Sequence, residues 1–301
     1  MNRFCLRYTI KKDNEGMLLR DFLKEQHISK AALIDIKFNG GALHVNGSAV
    51  TVRSVLNEGD LVEVYFPKET PSEELKPQKM PLDIHYEDNY VLVINKPAGI
   101  ASIPSREYRS GTLANGILYY YLSKGYETTI HIVTRLDKDT SGLMLIAKNR
   151  HAHHLFSLQQ KLFGVKRRYE AIVHGCMTKE LPPHGIVNAP IGRKETSIIE
   201  REVREDGQSS LTHYQVLEVS EKWSLVSLCL ETGRTHQIRV HMAYLGFPLI
   251  GDTLYGGMPM DDLNRQALHS CELTFYHPVL KKELHFTSDY PMDMSSIVGL
   301  K

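Results

Sequence analysis

The densest group of reactive side chains is Thr134-Arg135-Leu136-Asp137-Lys138-Asp139-Thr140-Ser141-Gly142, which runs straight into the apolar stretch Leu143-Met144-Leu145-Ile146-Ala147. Charges abutting a segment that must be buried describe a loop at the mouth of a cleft, where a carboxylate can be held against a substrate. The same residues also read as a surface turn in which Asp139 caps backbone amides. A second group, Glu231-Thr232-Gly233-Arg234-Thr235-His236-Gln237-Ile238-Arg239-Val240-His241, falls at an expected strand-to-helix junction. With Thr235 as N-cap, a guanidinium and free helix amides meet in one place that suits an anion, either a phosphate or a protein carboxylate such as Asp137. Asn95-Lys96-Pro97-Ala98-Gly99 reads as a turn. Lys161, Lys166, Arg167 and Arg168 cluster ahead of an expected strand, where they form either a solvated charged face or a local nucleic-acid contact.

Metal and cofactor chemistry find little support in these spacings. His236 and His241 are five apart and do not share a helix face, and His151, His153 and His154 lack a Cys or acidic partner at ligand spacing. The four cysteines, Cys5, Cys176, Cys229 and Cys271, form no C-x-x-C pair, which points away from zinc and from a disulfide framework and toward a reducing cytoplasm. No P-loop or dinucleotide fingerprint occurs, so neither a cofactor nor a metal is expected.

The elements that must position these groups divide the chain. Residues 68 to 81, KETPSEELKPQKMP, are rich in proline and charge and read as a linker between a small unit (1–67) and a large one (82–301). In the small unit helices are expected at Leu19 to Gln26 and Lys30 to Ile36, the second capped by Ser29, followed by strands over Ala42 to Gly47 and Asp60 to Tyr65. In the large unit strands are expected at 82–86, 90–94, 143–148, 168–174, 213–219 and 225–230. Helices are expected at 112–122, 151–162 and 235–245, the last stopped by Gly246. Strands occur in clusters rather than alternating with helices, which favours an α+β fold with a large mixed, mostly antiparallel sheet.

A hydrophobic share of 42% and a charged share of 24% are ordinary globular values, and no apolar run is long enough to span a membrane. The N-terminus lacks the apolar core of a secretory signal. A net charge of +1 means that any polyanion must be met by local clusters rather than by the chain as a whole.

NKPAG, RLDKDTSGLMLIAK, KRRYEAIVHG and LETGRTHQIRVHMAYLGFPLIGDTLYG, in that order, together with RQALHSCELTFYHPV, resemble the motif series of the RluA-type pseudouridine synthases over residues 82 to 290. Residues 13 to 66 are similar to an S4-type RNA-binding module, through the helix pair, the Gly40-Gly41 turn, Val45-Asn46-Gly47 and Gly59-Asp60. The resemblance implies an isomerase acting on structured RNA, ribosomal RNA ahead of tRNA, as a cytoplasmic monomer. It makes Asp137 the catalytic aspartate, Arg135 the side chain that enters the RNA stack as the uridine leaves it, and Tyr169 a neighbour of the target base. It makes Arg234 the ion-pair partner of Asp137, with Arg239 the second candidate, and Ile238 a packing surface for the base. Lys96, Lys30 and Lys37 are expected RNA contacts. Thr134 stands where many members have His, and Ile103-Pro104-Ser105 where Val-His-Pro is common.

The implied chemistry needs only what the chain carries. Turning uridine into pseudouridine breaks the N1–C1′ bond, rotates the uracil and joins C5 to C1′. A carboxylate near C1′ can act as nucleophile, as in retaining glycosidases, or can take a sugar proton to give a glycal. Either role needs an ionised aspartate, which a guanidinium favours. A stacked base cannot react, so it must be flipped into a pocket with aromatic and apolar walls. Tyr169 is either such a wall or a relay for the C5 proton. The competing reading is an RNA-binding protein without catalysis.

Overall fold

Short amphipathic elements build the first unit. In the computed structural model, which describes residues 4–159 and 164–299, Lys161 of the basic cluster and the end of the helix expected to Leu162 lie outside the described residues. Helices α1 (Leu19–Glu25) and α2 (Lys30–Phe38) accompany a sheet of β1 (Cys5–Thr9), β2 (Ala42–Val45), β3 (Ser48–Ala49) and β4 (Leu61–Tyr65), ordered β1-β4-β2-β3. Ser29 caps α2 by accepting the Ala32 N–H at 3.1 Å. The β2–β3 hairpin turns on Asn46 and Gly47, both at positive φ, as a two-residue hairpin loop requires. Leu19, Phe22, Leu23, Ile36, Val62 and Val64 close the core of this unit, against which Tyr90 of the larger unit also packs.

The larger unit is a ten-stranded sheet. Its strands are β5 (Asp83–Glu87), β6 (Val91–Lys96), β7 (His131–Ile132), β8 (Ser141–Ala147), β9 (Lys166–His174) and β10 (His184–Asn188). After a separate ribbon of β11 (Ile191–Arg193) and β12 (Arg201–Val203) come β13 (Leu211–Val219), β14 (Trp223–Leu230), β15 (Leu268–His277) and β16 (Lys282–Thr287). The order is β10-β13-β14-β9-β15-β8-β6-β5, with β16 also on β15 and β7 on β8. Every pairing is antiparallel except β8 with β15. The α+β class with a mostly antiparallel mixed sheet is therefore as expected. β15, the central strand, was not legible in the sequence. Its residues, LHSCELTFYH, break alternation with polar side chains, and it is buried because β8 and β9 flank it.

Helices α3 (Leu113–Ser123), α4 (Arg150–Gln159), α5 (Gln237–Tyr244) and α6 (Met292–Val298) pack around the sheet. α5 begins later than expected. Thr235 is not its N-cap; that place is taken by His236 in the left-handed conformation, φ 59°, with no side-chain cap. Instead the Gln237 carboxamide oxygen closes the turn, accepting from the Arg234 N–H at 3.0 Å and the Thr232 hydroxyl at 2.8 Å. Residues 68–81 carry no helix or strand, yet they are strapped down. Glu69 accepts the Arg150 N–H at 2.8 Å, Asn115 donates to the Lys76 carbonyl at 2.7 Å, and the Gly111 N–H reaches Gln78 at 2.9 Å. The small unit rests on the large one through Phe66 against His151, Phe4 against Tyr90 and an Arg150–Asp35 ion pair.

Candidate active site

Asp137 lies in the loop that feeds β8 into the parallel junction with β15. Gly142 sits at that junction with φ +114°, where a β-carbon would fall 2.3 Å from the Ser270 carbonyl oxygen. The two halves of the sheet approach so closely there that only glycine fits. Four successive carbonyls of the loop are held. Ser102 donates to the Leu136 carbonyl at 2.6 Å, the Thr140 N–H to that of Asp137 at 3.1 Å, Lys96 to that of Lys138 at 2.9 Å and Arg265 to that of Asp139 at 3.0 Å. With its backbone committed, the loop leaves the partly exposed Asp137 carboxylate to side-chain partners.

Lys96 is the most buried of these supports. It is fully buried and donates to the carbonyls of Pro97 (2.8 Å), Ile100 (2.9 Å) and Lys138 (2.9 Å), tying the NKPAG turn to the Asp137 loop. This corrects the expectation that it touches RNA: no part of its side chain reaches solvent. Burial pulls its ammonium down to about 7, with Asp139 and Asp137 acting the other way.

The ion pair also differs from the expectation. Arg239 Nη1 lies 3.4 Å from Asp137 Oδ2, while its Nε and Nη2 each meet the Asp252 carboxylate at 2.7 Å. Arg234 is exposed and donates to the Ser209 carbonyl at 3.1 Å, so the first-choice partner is not the one the fold presents. Position in the chain is the reason: α5 is buried on every side from Gln237 to Met242, which encloses Arg239, whereas Arg234 precedes the helix. Burial acts to lower the Arg239 pKa, but Asp252 and Asp137 outweigh it and keep the guanidinium charged.

Tyr169 and Ile238, each 4% exposed, join Leu136 in one apolar cluster beside this triad. His236 stands with Nε2 3.9 Å from Asp137 Oδ2 and Nδ1 2.8 Å from the Tyr255 hydroxyl, whose oxygen also accepts the Arg201 N–H. Burial lowers the His236 pKa, with Asp137 opposing. The Tyr255 ring also faces the Arg239 guanidinium at 5.0 Å. Arg135 is exposed beside Asp137, and Lys30 and Lys37 are exposed on α2 in the small unit. Thr134 is buried and its hydroxyl accepts the Leu145 N–H at 2.9 Å, so this departure from the usual His closes the edge of β8 instead of facing the cleft. Sequence reasoning missed Asp252 and Tyr255; their signal was the Gly251-Asp252-Thr253-Leu254-Tyr255-Gly256 segment, quoted above only as part of a motif.

A family model described as RNA pseudouridylate synthase matches residues 90–244. The chain is an RluA-type RNA pseudouridine synthase. The synthase is 53% identical to the RNA pseudouridine synthase YjbO of Bacillus subtilis, over 94% of this chain and 98% of that one. It is 37% identical to the ribosomal large subunit pseudouridine synthase D of Pasteurella multocida, over 85% and 82% of the two chains. Among solved structures it is similar to human RNA pseudouridylate synthase domain containing 1, with a TM-score of 0.58 and 26% identity over 76% of the synthase and 89% of that chain. It is an isomerase acting on RNA, and no helix among its described residues is long and apolar enough to cross a membrane.

Proposed function

We propose that the synthase isomerises a uridine in structured ribosomal RNA, with Asp137 as the catalytic carboxylate. The observation that carries this reading is the Arg239 guanidinium shared between Asp252 and Asp137, with Arg239 and Asp137 next in sequence to Ile238 and Leu136 of the apolar cluster that also holds Tyr169. In the reaction the N1–C1′ bond breaks, and Asp137 either attacks C1′, leaving it again when C5 joins C1′, or removes a sugar proton that it returns as C5–C1′ forms; between the two steps the freed uracil turns. C5 loses its proton and N1 gains one, so atoms and charge balance. Arg239 sets a positive charge against the Asp137 carboxylate beside an apolar wall, and Arg135 occupies the gap that the flipped uridine leaves in the stack. Tyr169 walls the base.

Ribosomal RNA is favoured by relatives named for the large ribosomal subunit and by the S4-like character of residues 1–67, whose helix α2 presents Lys30 and Lys37 to solvent. Four cysteines, none disulfide-bonded, fit a protein working in the reducing cytoplasm. The test is pseudouridine mapping of ribosomal RNA from cells lacking the gene, complemented with wild type or Asp137→Asn. A site restored by wild type alone supports the reading; restoration by the Asn variant overturns it.

A further inference from the structure

Strand alternation separates the basic residues at the start of β9. Arg168 points to one face and pairs with Glu170 and Glu272. Arg167 falls on the other face with Tyr169, the face that carries α5 and the apolar cluster of the active site. Among the described residues no carboxylate pairs with Arg167, and its Nε is buried without a hydrogen-bond partner. Its guanidinium ends over Gly233, where a β-carbon would stand 3.5 Å from Nη2 and 3.9 Å from Nη1. The neighbouring Arg234 has turned its Nε to the Ser209 carbonyl. A guanidinium half withdrawn from water with no counter-charge is costly, and the cost is relieved when an anion arrives. Its planar fork matches a phosphate, the anion that an RNA substrate brings.

We propose that Arg167, seated over Gly233, binds a backbone phosphodiester of the substrate RNA beside the reacting uridine. This rests on the reading that Asp137 marks the reaction centre. Tyr169 and Arg167 are two residues apart on one strand face, so the base wall and the phosphate seat are roughly 6–7 Å apart along β9. Gly233, lacking a β-carbon, lets the guanidinium come close to the turn, and a phosphate would meet its Nη1 and Nη2 groups there. Arg168, already committed to two carboxylates, has no such capacity.

The test uses the full chain with two probes, in vitro-transcribed large-subunit ribosomal RNA and inorganic phosphate. Affinity is measured across a salt series of about 50–300 mM for wild type, Arg167→Gln, Arg167→Lys and Asp137→Asn. Arg167→Gln is expected to weaken binding on the order of tenfold and to reduce the salt slope by about 1, whereas Arg167→Lys keeps the slope. Turnover at saturating RNA stays within about threefold of wild type, because the contact positions the backbone and takes no part in bond changes. In phosphate-free buffer Arg167→Gln melts no lower than wild type, since no partner is lost, and added phosphate raises the wild-type Tm more than the variant's. Unchanged affinity and slope would overturn the proposal, as would a clear loss of Tm or failure to fold without phosphate, which would make Arg167 a brace. Asp137→Asn separates the two readings: turnover by that variant defeats Asp137 as the reaction centre, while its salt slope, expected to equal wild type, leaves the Arg167 comparison intact.

Discussion

Arg239 divides one guanidinium between two carboxylates, and the division is unequal. Asp252, almost fully buried, takes the two short bonds at 2.7 Å, and Asp137, nearer solvent, takes the longer one at 3.4 Å. Asp252 thus fixes the plane and position of the arginine, and Asp137 receives what is left. Asp252→Asn should therefore keep the fold's shape but let the guanidinium swing toward Asp137 as its sole anionic partner. A misplacement of this kind costs on the order of 10²-fold in rate, so single-turnover kcat should fall by about that much while RNA affinity is retained. Undiminished kcat would show that Arg239 needs no such anchor. Asp137→Asn, which removes the carboxylate itself, should abolish turnover with RNA binding preserved.

The Asp137 loop is only as well placed as the strands at its two ends. Gly142 ends it at the one parallel junction of the sheet, and a β-carbon there would collide with the Ser270 backbone and would also require a left-handed φ. Gly142→Ala should destabilise by about 3 kcal/mol or more, seen as a lower urea midpoint with unchanged m-value. The β5–β6 turn offers a pH test. Asp88 accepts the N–H groups of Tyr90 (2.7 Å) and Val91 (2.8 Å) and faces His277 Nε2 at 3.0 Å. Burial acts to raise its pKa, but these partners outweigh it and hold the group at about 2. A folded pKa below the unfolded value near 3.9 means that this stabilisation is present above pH 4 and is lost as pH falls toward 2. Partial exposure limits it to on the order of 1–2 kcal/mol. Wild type should therefore lose more stability than Asp88→Asn between pH 5 and pH 2; parallel loss in both proteins would refute the assignment.

At the scale of the molecule, two cores are joined by a strapped segment, and the basic residues proposed to meet RNA are distributed over both units. Lys30 and Lys37 lie on α2, far in sequence from Arg135 and Arg167. If α2 holds the RNA while the large unit reacts with it, Lys30→Ala with Lys37→Ala should weaken RNA affinity and lower the salt slope by up to about 2, leaving kcat at saturating RNA unchanged. A fall in kcat with unaltered affinity would instead place α2 in the chemistry. A net charge of +1 conceals this arrangement, because exposed basic groups such as Lys30 and Lys37 are offset in the total by acids committed elsewhere, such as Glu170 and Glu272 on Arg168.

The sequence by itself determined which residues could react and most of the elements that carry them. Asp137, Tyr169 and Ile238 stood in motifs whose order along the chain was specific, and the helix caps and hairpin turns of the small unit followed from local chemistry at Ser29 and Asn46-Gly47. Side-chain partnership was decided only in three dimensions. Arg234 and Arg239 are alike as residue types in one motif, and the start of α5, displaced by the left-handed His236, turns one to the surface and the other between two carboxylates. Lys96 looked like a cation for RNA until three carbonyls from two loops enclosed it. β15 was hidden because its burial comes from strands far away in the chain, β8 and β9, rather than from its own pattern. Local propensity is written in neighbouring residues, but the choice of partner for a charge depends on groups that only long-range packing brings within bonding distance.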